Sequence, residues 1–398
     1  MINASRTLLA FSGGLDTSFC VLWLLEQGRE IHTVTVDTGG FDDAELARIK
    51  ILARELGAES HTTVNARDEL FRDYLRFLLA GNVLRGGVYP LSVSAERVCQ
   101  ARRIVTHARQ INAVALAHGS TGAGNDQVRF DVAFRTLAPD LEILAPIRDL
   151  ALSRAEERAF LSARGFTFPE KLEQYSVNEG MWGTSVGGKE THDSWQHLPD
   201  QAYPGGKVDA ALAAREVTIT FDEGLPAQID GEPKSAVAAI DALNAIGRTY
   251  GIGRGIHLGD TILGIKGRVG FEAPAAHLLI SAHRELEKLV LTGKQLFWKE
   301  HLGNLYGTLL HEGQFFDPLA RDLEAFLESS QRVVTGDVRV RISPRSFAVE
   351  GVRSANSLMR SEMASYGEGT SLWSGPEAAA FAKIFGVSQM LAMSSRSQ

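Results

Sequence analysis

Apolar and polar positions alternate in blocks along the first 165 residues. Thr7–Phe11 (TLLAF) is a short apolar run of the kind that makes a strand buried on both faces. It ends in Ser12-Gly13-Gly14, and the following FCVLWLLEQG reads as a helix closed by Gly28. Ile31–Val36 (IHTVTV) is a β-branched strand ending at Asp37-Thr38-Gly39-Gly40. Leu46, Ile49, Leu52, Ala53 and Leu56 then recur at helical spacing up to Gly57. A strand at His61–Val64, helices over Glu69–Leu79 and about Arg97–Ile111, and strands at Ala113–Ala117 and Ile143–Pro146 continue the alternation. Ser153 and Glu156 form a capping box that opens one more helix. Strands and helices at this pitch predict a parallel, doubly wound α/β sheet, with ligands at the carboxyl ends of its strands.

The texture changes after about Phe168. Residues 176–215 are rich in glycine and proline, and Glu216–Phe221 alternates as a strand does. Helices are predicted at about 234–247, 277–290 and 318–331, with a hairpin pairing Val338–Ile342 to Phe347–Val352. There Arg339 and Arg341 alternate with apolar residues, as on the wet face of a strand. This predicts an α+β second domain. The end, PEAAAFAKIFGVSQML, is an apolar helix after a stretch containing Gly367, Gly369 and Gly375. Phe381, Ile384 and Phe385 must bury that face, and a partner subunit is the expected place. The domains are read as 1–168, 169–360 and a tail, 361–398.

Composition narrows the class. A chain of 398 residues with 44% hydrophobic and 22% charged residues carries a formal charge of −7. That balance argues against gripping nucleic acid by its phosphates. No apolar stretch is long enough to span a bilayer. The start, MINASRTLLAFSGG, runs into a strand and a Gly-rich turn and does not read as a signal peptide. Cys20 and Cys99 make neither a disulfide framework nor a four-ligand zinc site. The ten histidines other than His118 show no metal-ligand spacing, and no metal-binding residue is assigned. A reduced, cytoplasmic protein is expected.

Two Gly-rich turns carry the candidate chemistry. Ser12-Gly13-Gly14-Leu15-Asp16-Thr17-Ser18 joins the first strand to the first helix, where glycines let the backbone approach an oxyanion and the helix supplies free N–H groups. The plain alternative is a strand-to-helix turn that merely favours these residues. No Gly-Lys-Ser/Thr follows, so this is not a Walker loop. It resembles the SGGxDS pyrophosphate loop of the N-type ATP pyrophosphatases, with Thr17 inserted before the serine. The second turn, HGSTGAGNDQVRF (118–130), follows the Ala113–Ala117 strand to the same edge of the sheet. It gathers an amide, a carboxylate and a guanidinium, a set suited to a zwitterionic amino acid. Arg129 would hold a carboxylate and Asp126 an ammonium. His118, between strand and glycine, is as readily structural as catalytic and is left out.

Taken with VYPLSVSAER (88–97), APIRD (145–149), YSVNEGMWGTS (175–185), GIGR (251–254), GIKGRVGFEAP (264–274) and FFDPLARDLEAFLESSQRVVTGDV (315–338), these turns make the chain resemble the argininosuccinate synthase family over nearly its full length. The resemblance implies a pyrophosphatase-type nucleotide domain, a synthetase domain and a C-terminal oligomerisation helix in a homotetramer. It implies a ligase that joins citrulline to aspartate through a citrullyl-adenylate, converts ATP to AMP and pyrophosphate, and uses Mg²⁺ bound with the phosphates. Ala10, Phe11, Ser12, Gly13, Gly14, Leu15, Asp16, Thr17 and Ser18 then cradle ATP, with Val36 near the adenine and Gly119 also at the nucleotide. Thr121, Asn125 and Asp126 match aspartate positions; Tyr89, Ser94, Asn125, Arg129, Ser176 and Ser185 match citrulline positions. Ser12, Asp16, Ser18, Asp126 and Arg129 are the expected catalytic set.

The chain also departs from the family. Gly259 stands where a glutamate faces the citrulline ammonium, Phe271 replaces a supporting tyrosine, Asn178 replaces an aspartate, and Arg97-Val98 replaces Arg-Pro. Either Asp260 takes over the ammonium, or the acceptor is an uncharged relative such as an N-acylated citrulline or another ureido or amide compound. Two other readings compete. A tRNA-thiolating pyrophosphatase needs reactive cysteines and a basic surface, and retention of Asp16, Asn125, Asp126 and Arg129 speaks against a non-catalytic amino-acid or nucleotide sensor.

Overall fold

The computed structural model describes residues 5–168, 175–365 and 370–396. The expected 168/169 boundary, Gly367, Gly369 and the first four residues fall at or within segments outside these. The chain divides into two compact units, 1–354 and 355–398.

In the first unit, β1 (Arg6–Ala10), α1 (Leu15–Glu26), β2 (Glu30–Asp37), α2 (Asp43–Glu55) and β3 (Ser60–Asn65) follow the predicted alternation. Next come α3 (Arg67–Leu70), a π-helical turn (Phe71–Leu75) and α4 (Arg76–Ala80), which together occupy the helix expected over 69–79. Then follow α5 (Ser94–Gln110), β4 (Ala115–Ala117), α6 (Asn125–Leu137), β5 (Glu142–Leu144), α7 (Pro146–Leu150) and α8 (Arg154–Ser162). The five strands form a parallel sheet ordered β3-β2-β1-β4-β5. Its buried apolar strands, such as Leu8, Leu9, Leu116 and Ala117, are covered on both faces. The order reverses between β1 and β4, so a crevice opens at their carboxyl ends, where both Gly-rich turns lie. The Ser153–Glu156 capping box is formed as read.

The rest of this unit holds two antiparallel sheets. Strands β6 (Tyr175–Asn178) and β7 (Thr184–Gly188) lie in the stretch read as loop. They are followed by β8 (Arg215–Asp222), β9 (Leu225–Ile229), β10 (Glu232–Pro233), α9 (Ala236–Tyr250), β11 (Arg254–Asp260), β12 (Lys266–Glu272), α10 (Pro274–Val290), α11 (Gly293–His311), α12 (Pro318–Gln331), β13 (Gly336–Ser343) and β14 (Ser346–Arg353). One sheet runs β10-β9-β8-β13-β14 and the other β11-β12-β7-β6. Arg339 and Arg341 lie on the exposed face of β13, as predicted, while Val338, Val340 and Ile342 are buried.

Helix α11 and the β11–β12 hairpin were not predicted, for one physical reason. Glycines interrupt both patterns, because neighbouring chain occupies the space of their missing side chains. A Cβ at Gly303 would overlap the backbone of Gly81, and one at Gly255 would lie 2.5 Å from the Phe271 ring.

The second unit contains α13 (Gly375–Phe385) and α14 (Val387–Arg396), so the helix read as continuous breaks at Gly386. Ser374 and Glu377 cap α13 reciprocally, and Phe381 stacks on Phe385 at 5.2 Å. Phe381, Ile384, Phe385, Met390, Leu391 and Met393 are exposed.

Candidate active site

The first turn leaves backbone amides open, a geometry that can receive an anion. Gly13 adopts φ +70°, and a Cβ there would sit 2.9 Å from Ile49 Cγ1, so glycine is required by both conformation and space. Gly14 caps α1, and no side chain among the described residues bonds the open amides of its first turn. Ser12 Oγ lies 3.3 Å from Thr17 Oγ1, which also bonds the Gly14 carbonyl at 3.3 Å. Ala10 ends β1, and the Phe11 amide donates to Val34 O at 2.9 Å, fixing the turn to β2. Val36 is buried near the end of β2. Ser18 is fully buried, and its Oγ has no partner among the described residues. Leu15 and Asp16 open the helix.

The second turn sits directly on the first. A Cβ at Gly119 would approach Thr17 Cγ2 at 3.1 Å and the backbone of Asp16–Thr17 at 3.3 Å. His118 is structural: its Nδ1 accepts from the Ser120 amide at 3.2 Å and its Nε2 donates to Asp131 at 3.0 Å. Thr121 lies exposed before α6. Asn125, Asp126 and Arg129, read as a turn, instead form the first turns of α6, behind the uncapped Gly124. The Asn125 side chain accepts from the Ile262 amide at 2.9 Å, so the β11–β12 hairpin tip meets α6 here.

Asp126 is held by two arginines. Arg97 Nε donates to Oδ2 at 2.8 Å and Arg129 Nη1 to Oδ1 at 2.8 Å. Burial works against ionisation of Asp126, but Arg97 and Arg129 outweigh it and bring the pKa down to about 2. Arg129 is buried; its Nε donates to the His311 carbonyl at 2.9 Å and its Nη2 to His311 Nδ1 at 3.1 Å. Beside this clamp Glu96 is buried with Oε1 unpartnered among the described residues. Burial, with Asp126 and Asp37 adding to it, raises the Glu96 pKa well above the ordinary carboxylate range. Two arginines against one ionised aspartate leave the cluster positive, which favours a carboxylate ligand.

Tyr89 and Ser94 flank the same clamp. Tyr89 is buried, with its pKa pushed up by burial to about 12, and stacks on His257 (5.6 Å) and against Phe271 (5.4 Å). Ser94 Oγ lies 3.3 Å from His311 Nδ1. Ser176 pairs in register with Gly187, and Ser185 with Phe271 and Asn178, which places Ser176, Asn178, Ser185 and Phe271 on one sheet face. His257 and Gly259 extend that face along β11, and a Cβ on Gly259 would lie 2.6 Å from His257 Nε2. Asp260 is not brought to this group. It falls on the opposite strand face and pairs with Lys266 at 2.7 Å.

Arg97, Glu96, His257 and His311 lie beside the candidate residues and were not among them; only Arg97 and Glu96 carried a sequence signal, their place at the end of the VYPLSVSAER segment. Cys20 and Cys99 are buried thiols whose pKa burial raises, unsuited to sulfur transfer. No group of three or more His, Cys, Asp or Glu able to hold a metal occurs among the described residues, and no described helix is long and apolar enough to cross a membrane.

Residues 6–167 match the family model for the arginosuccinate synthase N-terminal HUP domain, and residues 175–392 that for the arginosuccinate synthase C-terminal domain. The chain belongs to the argininosuccinate synthase family. Argininosuccinate synthases of Dictyoglomus turgidum and Methanocaldococcus jannaschii are similar to it at 38% identity over 98% of both chains and 40% over 91% of both. That of Pyrobaculum aerophilum is 37% identical over 99% of this chain and all of its own. As a member of the argininosuccinate synthase family the chain is an ATP-using ligase, and its parallel sheet is the HUP domain of that family.

Proposed function

We propose that this protein ligates L-citrulline to L-aspartate to give argininosuccinate, by way of a citrullyl-adenylate, releasing AMP and pyrophosphate. The observation that carries this reading is the seating of Gly119 on Asp16–Thr17, which brings the phosphate loop and the Asp126–Arg129 helix turn together at the switch point of the sheet. The ureido oxygen of citrulline attacks the α-phosphorus of ATP, and pyrophosphate leaves. The aspartate amine then attacks the ureido carbon, AMP departs with the oxygen, and the amine proton is lost to solvent or phosphate. Positioning and charge stabilisation do most of the work. The uncapped amides of α1 and the Ser18 hydroxyl suit the phosphates, and the positive Arg97–Asp126–Arg129 cluster suits a substrate carboxylate. Mg²⁺ would arrive with the phosphates, supplying charge neutralisation at the leaving pyrophosphate.

In this reading residues 1–168 form the nucleotide domain, which also lends Tyr89, Ser94 and the Arg97–Asp126–Arg129 cluster to the amino-acid substrates, 169–360 form the synthetase domain, and 361–398 serve assembly into a cytoplasmic homotetramer through the exposed apolar faces of α13 and α14. A second acceptor is favoured by one feature. The Gly259 face of β11 carries the His257 ring in place of a carboxylate, and Asp260 is engaged by Lys266 on the other face. An acylated, uncharged amine suits that wall.

The test is pyrophosphate release with ATP, Mg²⁺ and L-aspartate, adding L-citrulline or N-acetyl-L-citrulline. Release with citrulline is expected. Release with the acetylated compound alone moves the assignment to the second acceptor, and silence with both, while ATP still binds, refutes the ligase reading.

A further inference from the structure

His311 closes α11 and is 6% exposed. Its Nδ1 meets two donors, Arg129 Nη2 at 3.1 Å and Ser94 Oγ at 3.3 Å. A guanidinium has no lone pair to offer, so Nδ1 must accept. The imidazole is neutral: burial, then Arg129, Arg85 and His257, hold its pKa down at about 3 against the opposing pull of Asp126. A neutral ring that accepts at Nδ1 carries its proton on Nε2. That Nε2–H is buried and has no partner among the described residues, although a buried donor is costly to leave unmet. The tautomer is thus fixed from one side while the donor on the other is unused.

We propose that His311 is a substrate-binding residue whose Nε2–H donates to the α-carboxylate of the acceptor amino acid. The proposal rests on the acceptor reading given above, and it holds for citrulline and its N-acyl derivative alike, since both keep that carboxylate. The charged and titratable groups facing the ring are Arg129 and Asp126 from α6, Arg85 from the segment before α5, and His257 from β11. Asp126 already bonds Arg97 and Arg129. An incoming anion therefore meets cations and a neutral donor. A protonated imidazole would instead repel Arg129 and lose the Nδ1 acceptor that fixes it.

Steady-state kinetics on the full chain, with each substrate varied in turn, separate this role from a packing role. His311→Leu is expected to raise the acceptor KM about ten- to hundredfold, with kcat and the KM values for aspartate and ATP little changed. His311→Gln offers Oε1 to Arg129 and an N–H in place of Nε2–H, and should recover most of the loss. The wild-type acceptor KM should stay level from about pH 6 to 8, because the ring does not titrate there. ¹⁵N spectra of histidine-labelled protein should report the Nε2–H form, with its resonance moving on addition of acceptor. An unchanged acceptor KM in His311→Leu, equal losses for all three substrates that His311→Gln does not relieve, or a proton on Nδ1 would each overturn the proposal. Failure of the ligase reading appears separately, as a wild-type protein that releases no pyrophosphate with either acceptor.

Discussion

Glu157 offers the sharpest test of the electrostatics under the phosphate loop. It lies on α8, is 1% exposed, and hydrogen-bonds the Asp16 side chain, while its Oε2 has no partner among the described residues. Burial, and then the charge and hydrogen bond of Asp16, lift its pKa from the ordinary 4.5 to about 8. The unfolded chain therefore ionises this carboxyl near 4.5, whereas the fold keeps it protonated up to about 8. Through that window the native state binds the extra proton, so stability falls as pH rises, by about 1.4 kcal/mol per pH unit. The group's contribution is fully present below 4.5 and lost above about 8, where both states are ionised and the profile levels. Between pH 6 and 8 the loss is on the order of 2–3 kcal/mol. Glu157→Gln keeps an N–H for Asp16 and has no proton to lose. Urea midpoints for wild type and Glu157→Gln at three pH values should diverge by that amount, with the variant gaining as pH rises. Parallel profiles would show that Glu157 is already ionised in the fold, and the shared-proton argument would fail.

Gly180→Ala places a methyl on the Glu96 carboxyl and should destabilise by about 1–3 kcal/mol; thermal melts of the double variant with Glu96→Ala should recover most of it, and additive losses would refute the pairing. Asp126→Ala strands Arg97 and Arg129 and should cost about 3–5 kcal/mol in urea titrations at neutral pH. Because the folded pKa of Asp126 is depressed, that difference should shrink only as pH falls from 3.8 toward about 2. Gly13→Ala forces a positive φ and a contact with Ile49, so calorimetry with a non-hydrolysable ATP analogue should show binding weakened by about 1–3 kcal/mol. Phe381→Asp with Phe385→Asp should lower the sedimenting mass below that of a tetramer without loss of the α/β core.

Over the first 165 residues, most of what depends on short stretches of chain was legible in the sequence. Apolar runs such as TLLAF, followed by Gly-rich turns and amphipathic helices, specify a parallel sheet, and the glycines of the turn after β1 mark a candidate anion site beside the plainer reading of a strand-to-helix turn. Asn125, Asp126 and Arg129 could be grouped as candidates from their chemistry and their closeness in the sequence. Their partners could not. Arg97 reaches Asp126 across 29 positions and His311 reaches Arg129 across 182, pairings that exist only once α5, α6 and α11 pack. Asp260 and Gly259 are adjacent in sequence, yet the pleat of β11 sends them to opposite faces, and strand register decided which one faces Tyr89 and His257. Protonation follows the same rule. The proton on Glu157, the charge on Asp126 and the tautomer of His311 are set by desolvation and by charges brought near through space, and a sequence carries neither until the chain has folded.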